Sequence, residues 1–402
     1  MTLHLNFPTV QDDVPRSIFD HAVLALGFRP FFLLGAVMAA LWIPLYMLAW
    51  YGIVDLSGAG GVVAWHAHEM LFGFGAAIIA GFLLTAVGNW TGAQMPSGLV
   101  LFGLVVAWVL GRIAMLFAGA LPWQLCLAID AAFLPLVALA IARPIVATKN
   151  KRNYGFIALL GALTLANVWL HLYSAGIVVA PGRGPLYIAL DAIVVIMVIV
   201  SGRVIPMFTR NALGDTRIDR TVWLDRLSVS ACTALLAADL VTLDPTITGY
   251  IALGAGVFTA ARMWRWGSLR TLGTPLVWVL HLAAAFIALG LILRGLSPAL
   301  VPLSASTHAL TVGGVGLLTL GMMARVALGH TGRPLVIGRA ITAAFILMAL
   351  AALVRILAPI FFAALYMPAI IATSALWSAA FAIYAVVYWP ILTRPRVDGR
   401  PG

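Results

Sequence analysis

Twelve apolar stretches, most of them at least as long as the roughly 20 residues a helix needs to cross a bilayer, follow one another with only short breaks. They run over 22–49, 62–87, 97–118, 122–142, 154–176, 184–208, 223–243, 246–265, 274–295, 301–329, 335–357 and 366–393. A backbone in hydrocarbon must satisfy its own N–H and C=O groups, so segments of this length span as helices. Composition agrees: 63% of residues are hydrophobic and 9% charged, against about 45–50% and about 25% in soluble domains. The expected fold is all-α, a single polytopic domain over 22–393. Cytoplasmic tails at 1–21 and 394–402 flank it.

Basic residues set the orientation. With the N-terminus inside, alternate loops collect Arg16, Arg29, Arg143, Lys149, Lys151, Arg152, Arg203, Arg210, Arg217, Arg220 and Arg226 on the cytoplasmic side. Arg262, Arg265, Arg270, Arg325, Arg333, Arg339, Arg394, Arg396 and Arg400 join them, which is all but four of the 24 Lys and Arg. Arg112, Arg183, Arg294 and Arg355 are left, each in a different outer loop. The topology expected is N-in and C-in. The net charge of +11 then reads as a signal toward anionic lipid, not as a nucleic-acid footprint.

Residues 1–20 are polar and partly acidic, without the short apolar region and cleavage site of a secretory signal, so the first helix is expected to be a retained anchor. Both cysteines, Cys126 and Cys232, fall inside spans and read as buried thiols. No Cys-x-x-Cys-His occurs, which rules out covalent c-type haem attachment, and no cysteine pair suggests an iron–sulfur cluster.

Chemistry concentrates in Trp65-His66-Ala67-His68-Glu69-Met70, which places two histidines and the only glutamate of the chain at the mouth of an apolar span. Ionisable groups at membrane depth are costly and mark sites, and paired imidazoles suit haem iron and copper. His66, His68 and His308 fall toward the outer leaflet on the second and tenth spans, and His171 lies in the outer half of the fifth. His281 is nearer mid-depth and His330 sits at the cytoplasmic exit. His66 and His68, two residues apart, point to different sides of a regular helix. His66 shares a face with Glu69, which could orient its imidazole or relay protons. That leaves His68 toward the interior as the better haem ligand; the reverse assignment stays open.

Shifting the second span by 240 residues superposes His68 on His308, Gly73 on Gly313, Gly81 on Gly321 and Thr91-Gly92 on Thr331-Gly332. The matched spans are eight apart, which suits three four-helix units. Glycines on both helices read first as close packing; they would also leave room for a flat macrocycle. Of the intramembrane acids, Asp191 shares the depth of the histidines, while Asp130 and Asp239 read as partners of polar neighbours.

Longer motifs carry a resemblance. Gly27-Phe28-Arg29-Pro30-Phe31-Phe32, Trp65-His66-Ala67-His68-Glu69-Met70-Leu71-Phe72-Gly73 and the stretch from Gly202-Arg203-Val204 to Thr209-Arg210-Asn211 occur in order. They are followed by a run from Thr307-His308-Ala309 through Met322-Met323-Ala324-Arg325 to Leu328-Gly329-His330-Thr331-Gly332-Arg333. Asn167-Val168-Trp169-Leu170-His171 and Val277-Trp278-Val279-Leu280-His281 complete the set. Together they resemble the NnrS family, haem- and copper-containing membrane proteins associated with nitric oxide metabolism and nitrosative-stress tolerance in bacteria. The resemblance implies haem b and copper as cofactors, nitric oxide and an electron donor as partners, and the bacterial inner membrane as location.

The expected protein therefore binds haem and copper through intramembrane histidines. His68 and His308 are the axial candidates, His66, His171 and His281 are further haem or copper ligands, and Glu69 is the proton-relay or catalytic group. It would bind nitric oxide and reduce it if electrons are supplied. Two other classes compete: a twelve-helix transporter of a small solute or metal, and a haem-based sensor without turnover.

Overall fold

The computed structural model describes residues 17–56, 58, 60–179 and 184–400. Twelve long helices occur among them, one in each stretch that the sequence marks: α1 Phe28–Trp50, α2 Val62–Thr91, α3 Gly98–Leu116, α4 Trp123–Ala147, α5 Lys151–Ser174 and α6 Pro185–Leu213. They continue as α7 Val222–Leu240 and α8 Pro245–Ala261, then α9 Pro275–Leu296, α10 Leu303–His330, α11 Arg339–Phe361 and α12 Ala363–Thr393. No strand occurs among the described residues.

Ten of the twelve are long and apolar enough to cross a membrane by themselves. The other two fall short for separate reasons: α7 carries Asp225, Arg226 and Asp239, and α8 is only 17 residues long. α8 packs on α9, and α7 packs on α6 and α8 within the bundle. The chain is a multi-pass membrane protein whose outward surface of exposed Leu, Val and Ile residues suits a lipid environment.

Consecutive helices pack side by side, and α12 returns to α1 to close the bundle. Trp377 on α12 donates to the Ala39 carbonyl on α1 at 3.0 Å. Three helices lie deepest: 78% of the most apolar stretch of α2 is buried, and 83% in each of α6 and α10. These are every fourth helix. The 240-residue shift also acquires a structural counterpart. Immediately after His68 and His308 both helices widen into π-helix, over Glu69–Gly75 and Ala309–Gly316, a distortion that often accompanies functional sites.

The glycines of these helices serve close packing. A Cβ on Gly73 would collide with Met38 and Arg112, and one on Gly313 with the Phe286 ring. None of them lines the large cavity described below, so they do not make the space for a macrocycle that the sequence suggested.

One end of the bundle is basic and latched. Arg29, opening α1, donates to the carbonyls of Leu392 and Arg394 at 3.0 and 2.8 Å. Arg396 donates to the His330 carbonyl at 2.8 Å. At the same end Arg217 and Arg270 hold the Asp215 carboxyl well below the usual carboxylate range. The histidines of the second, fifth and tenth spans lie toward the opposite end.

Candidate metal centres

The two histidines of α2 separate, as their spacing requires. His66 lines a cavity of about 500 Å³ bounded by α1, α2, α6, α10, α11 and α12. His68 points away from it into a polar cluster on α3, α4 and α5. The pairing favoured from sequence, His68 with His308, is therefore not the one the fold makes: His308 shares its cavity with His66.

The cavity is mostly apolar, walled by side chains such as Leu71, Phe74, Leu186, Val312 and Trp377. His66 stacks on Tyr46 with ring centroids 4.2 Å apart, and its Nδ1 is buried with no hydrogen-bond partner. His308 Nδ1 lies 2.7 Å from the Ser304 carbonyl. A carbonyl only accepts, so Nδ1 carries the proton and Nε2 keeps its lone pair, the tautomer that a metal ligand needs. Arg355 reaches the same cavity. Its Nη2 faces the Tyr366 hydroxyl at 3.4 Å, and its buried Nη1 has no partner. Burying polar nitrogens without partners is expensive, and two residues lining this one apolar cavity each carry such a nitrogen.

The second centre is built around His68. Its Nδ1 is 3.0 Å from Glu69 Oε1 and its Nε2 is 3.0 Å from Asp130 Oδ2. His171 Nε2 reaches the same Asp130 oxygen at 3.0 Å. Asn167 donates to it at 2.8 Å, and Trp42 donates to Glu69 Oε2 at 2.8 Å. Arg112 donates to both Glu69 and Asp130. Donor atoms of His68, Asp130 and His171 converge within 4.8 Å, and all three residues are buried. A smaller cavity of about 50 Å³ abuts His68 and His171, with Met115 and Cys126 on its wall. Glu69 thus pairs with His68, not with His66 as its spacing on a regular helix had suggested, because the carboxylate is drawn to Arg112 on the neighbouring helix.

A third polar group lies on α6, α7 and α9, where Arg294 donates to Asp191 and to Asp239. Its guanidinium sits 5.5 Å over the Tyr187 ring, and Tyr187 lines the large cavity. Three arginines assigned to outer loops are thus corrected: Arg112, Arg294 and Arg355 are buried inside helices, at 4%, 1% and 9% exposure. The signal for them was present, since each falls inside one of the apolar stretches themselves. Arg183 lies outside the described residues.

His281 joins none of these groups. Its ring nitrogens meet the hydroxyls of Thr209 at 2.8 Å and Ser268 at 2.9 Å, beside Trp266. His330 stands against Phe28 at the basic end, His21 caps a short turn, and His4 lies outside the described residues. Both cysteines are buried free thiols.

The family model described as NnrS protein matches residues 22–396 of the chain. No curated protein shows significant similarity to it.

Proposed function

The chain belongs to the NnrS family, and from that premise we propose that it is a haem- and copper-binding protein of the bacterial inner membrane that acts on nitric oxide. The observation that carries the reading is the large apolar cavity with a partnerless imidazole nitrogen on His66, a free Nε2 on His308 and a partnerless guanidinium nitrogen on Arg355. That donor set fits haem b: His66 and His308 would hold the iron, Arg355 would meet its carboxylates, and Leu71, Phe74 and Trp377 would enclose the ring. Haem supplies a redox-active iron that binds nitric oxide.

Copper is assigned to His68, Asp130 and His171, whose donors already converge. Glu69 on His68 Nδ1 fixes the ring so that Nε2 faces the ligand position. The chain contributes more than ligands. The apolar walls exclude water and admit a small, weakly polar gas. Arg355 offsets negative charge in a place where hydrocarbon cannot. Reduction of nitric oxide further requires electrons, which a separate donor would have to bring.

The test is a visible spectrum of the purified, detergent-solubilised protein from haem-replete cells, with copper analysis, before and after nitric oxide. A Soret band that shifts with the gas, and that is lost in His66→Ala and His308→Ala while copper stays, is the expected result. A colourless, copper-free protein that moves a solute in vesicles would overturn it in favour of a transporter.

A further inference from the structure

Four carboxylates stand at membrane depth, and two arginines hold them. Around Arg294 the arithmetic does not close: Asp191 and Asp239 bring two negative charges and the guanidinium one positive. Among the described residues the surroundings supply no other cation. From α6 come Tyr187 and from α7 Cys232, neither of them positive. α8 carries no ionisable chain except Tyr250, which is exposed. Arg262 turns instead to the Val198 carbonyl, Ser201 and Asp225. Among the other helices packed on α6, α5 and α2 send His171, His68 and Glu69 to the other cluster. His66 and His308 face the cavity. A lone excess charge in a bilayer interior costs several kcal/mol or is neutralised by a proton.

Geometry indicates where the neutralising proton belongs. Asp191 is 1% exposed, and its Oδ2 has no hydrogen-bond donor within reach among the described residues. An ionised oxygen there would have given up water for nothing, whereas a carboxylic acid carries no charge to solvate. Asp239 and Asp191 share one guanidinium, the arrangement in which two carboxylates hold a single proton between them.

We infer that Asp191 and Asp239 together bind one exchangeable proton at neutral pH, and that this proton is the store for chemistry in the large cavity. The second half rests on the haem reading above; the first does not. Asp191 follows Leu190, which lines the cavity, and Tyr187 one turn earlier lines it too, with its hydroxyl 3.2 Å from Thr307 Oγ1. Thr307 precedes His308. A proton leaving the pair leaves two carboxylates on Arg294, and reprotonation from the outer end restores the acid.

Infrared spectroscopy of the full-length protein in H₂O and D₂O reads this without haem or activity. The expected result is a carboxylic-acid C=O band that shifts on deuteration and is absent in both Asp191→Asn and Asp239→Asn. Either substitution removes the excess charge, so the remaining aspartate ionises against Arg294. Both variants should keep wild-type melting and the haem band, because the amide is isosteric and neutral. A band unchanged in both variants would overturn the inference. So would its absence from the wild type, with melting that rises with added sodium: a metal cation would then balance the pair. If the band behaves as expected in a protein that never binds haem, the proton site stands and only its proposed destination falls. If haem is present and nitric oxide is consumed, each variant should slow consumption at least tenfold while the Soret shift with the gas persists; unchanged consumption would reject the destination.

Discussion

Around Arg112 the guanidinium shares its two carboxylates, Glu69 and Asp130, with the imidazoles of His68 and His171. Around Arg294 the carboxylates Asp191 and Asp239 meet no imidazole. The frame is the same in both places, one arginine between two acids carried on three helices, and the formal charge is the same. What differs is the means of closing the balance. Convergent ring nitrogens give the first a donor set that could hold a metal cation, and an oxygen without a donor fits the second to the proton inferred above. Buried ion clusters do little for stability compared with well-packed apolar groups, so two of them kept at one depth beside a cavity point to use.

Removing the arginine is the most severe way to probe this comparison. Arg112→Gln and Arg294→Gln should each cost about 3–5 kcal/mol, the range for stripping one partner from a buried pair. Arg294→Gln should be the worse of the two, because the imidazoles of His68 and His171 stay bonded to the acids of the first cluster and, among the described residues, no other cation stands beside those of the second. Thermal unfolding in detergent gives the order. If Arg112→Gln melts lower, the histidines are not helping to balance the first cluster.

Metal content separates the two centres next. His68→Ala and His171→Ala should abolish copper and spare the Soret band, and His66→Ala and His308→Ala should do the opposite. Glu69→Gln, which keeps the size but not the charge behind His68, should weaken copper by about 10–100-fold, as loss of an orienting carboxylate does. Haem lost equally in all four alanine variants would merge the two centres into one and end the distinction drawn between His66 and His68.

How far the sequence carries this can be seen residue by residue. The helices, their number and the basic end were readable because hydropathy and the distribution of Lys and Arg act over 20 residues at a time. The 240-residue repeat was readable as a few identities, and the matched π-helical segments give it substance. The partition of His66 from His68 followed from their spacing, but not which of them would meet His308. That depended on how α2 is rotated, and Arg112 on α3 settles it by drawing Glu69 and His68 to its own side. Arg112, Arg294 and Arg355 were misplaced because counting charges by loop sends every arginine to an end, whereas three of these lie where carboxylates or a cavity await them. Asp130 looked like an ordinary helix acid; that it gathers two histidines from helices 62 and 41 residues away in sequence is a tertiary fact.

Arg355 should show a smaller effect than any ligand. It lines the cavity with Tyr366 and ends in a nitrogen without a partner, so Arg355→Gln removes charge and leaves the iron ligands in place. Haem should bind but dissociate faster, and its reduction potential should fall, since a buried positive charge favours the reduced, less positive iron. Potentiometry on the purified variant reads the sign; a potential unchanged or raised would take Arg355 away from the haem.

The smallest change is expected at His281, although the sequence puts it in the same company as the other intramembrane histidines. Its two ring nitrogens are already occupied by Thr209 and Ser268, which makes it a bridge between α6 and the turn before α9. His281→Gln can keep one of those bonds and should cost about 1 kcal/mol, the net value of a single hydrogen bond. Haem, copper and the infrared band should all be unchanged. A loss of copper in this variant would mean that a histidine bonded to two hydroxyls still reaches a metal, and geometry would then be a poor guide to the other five.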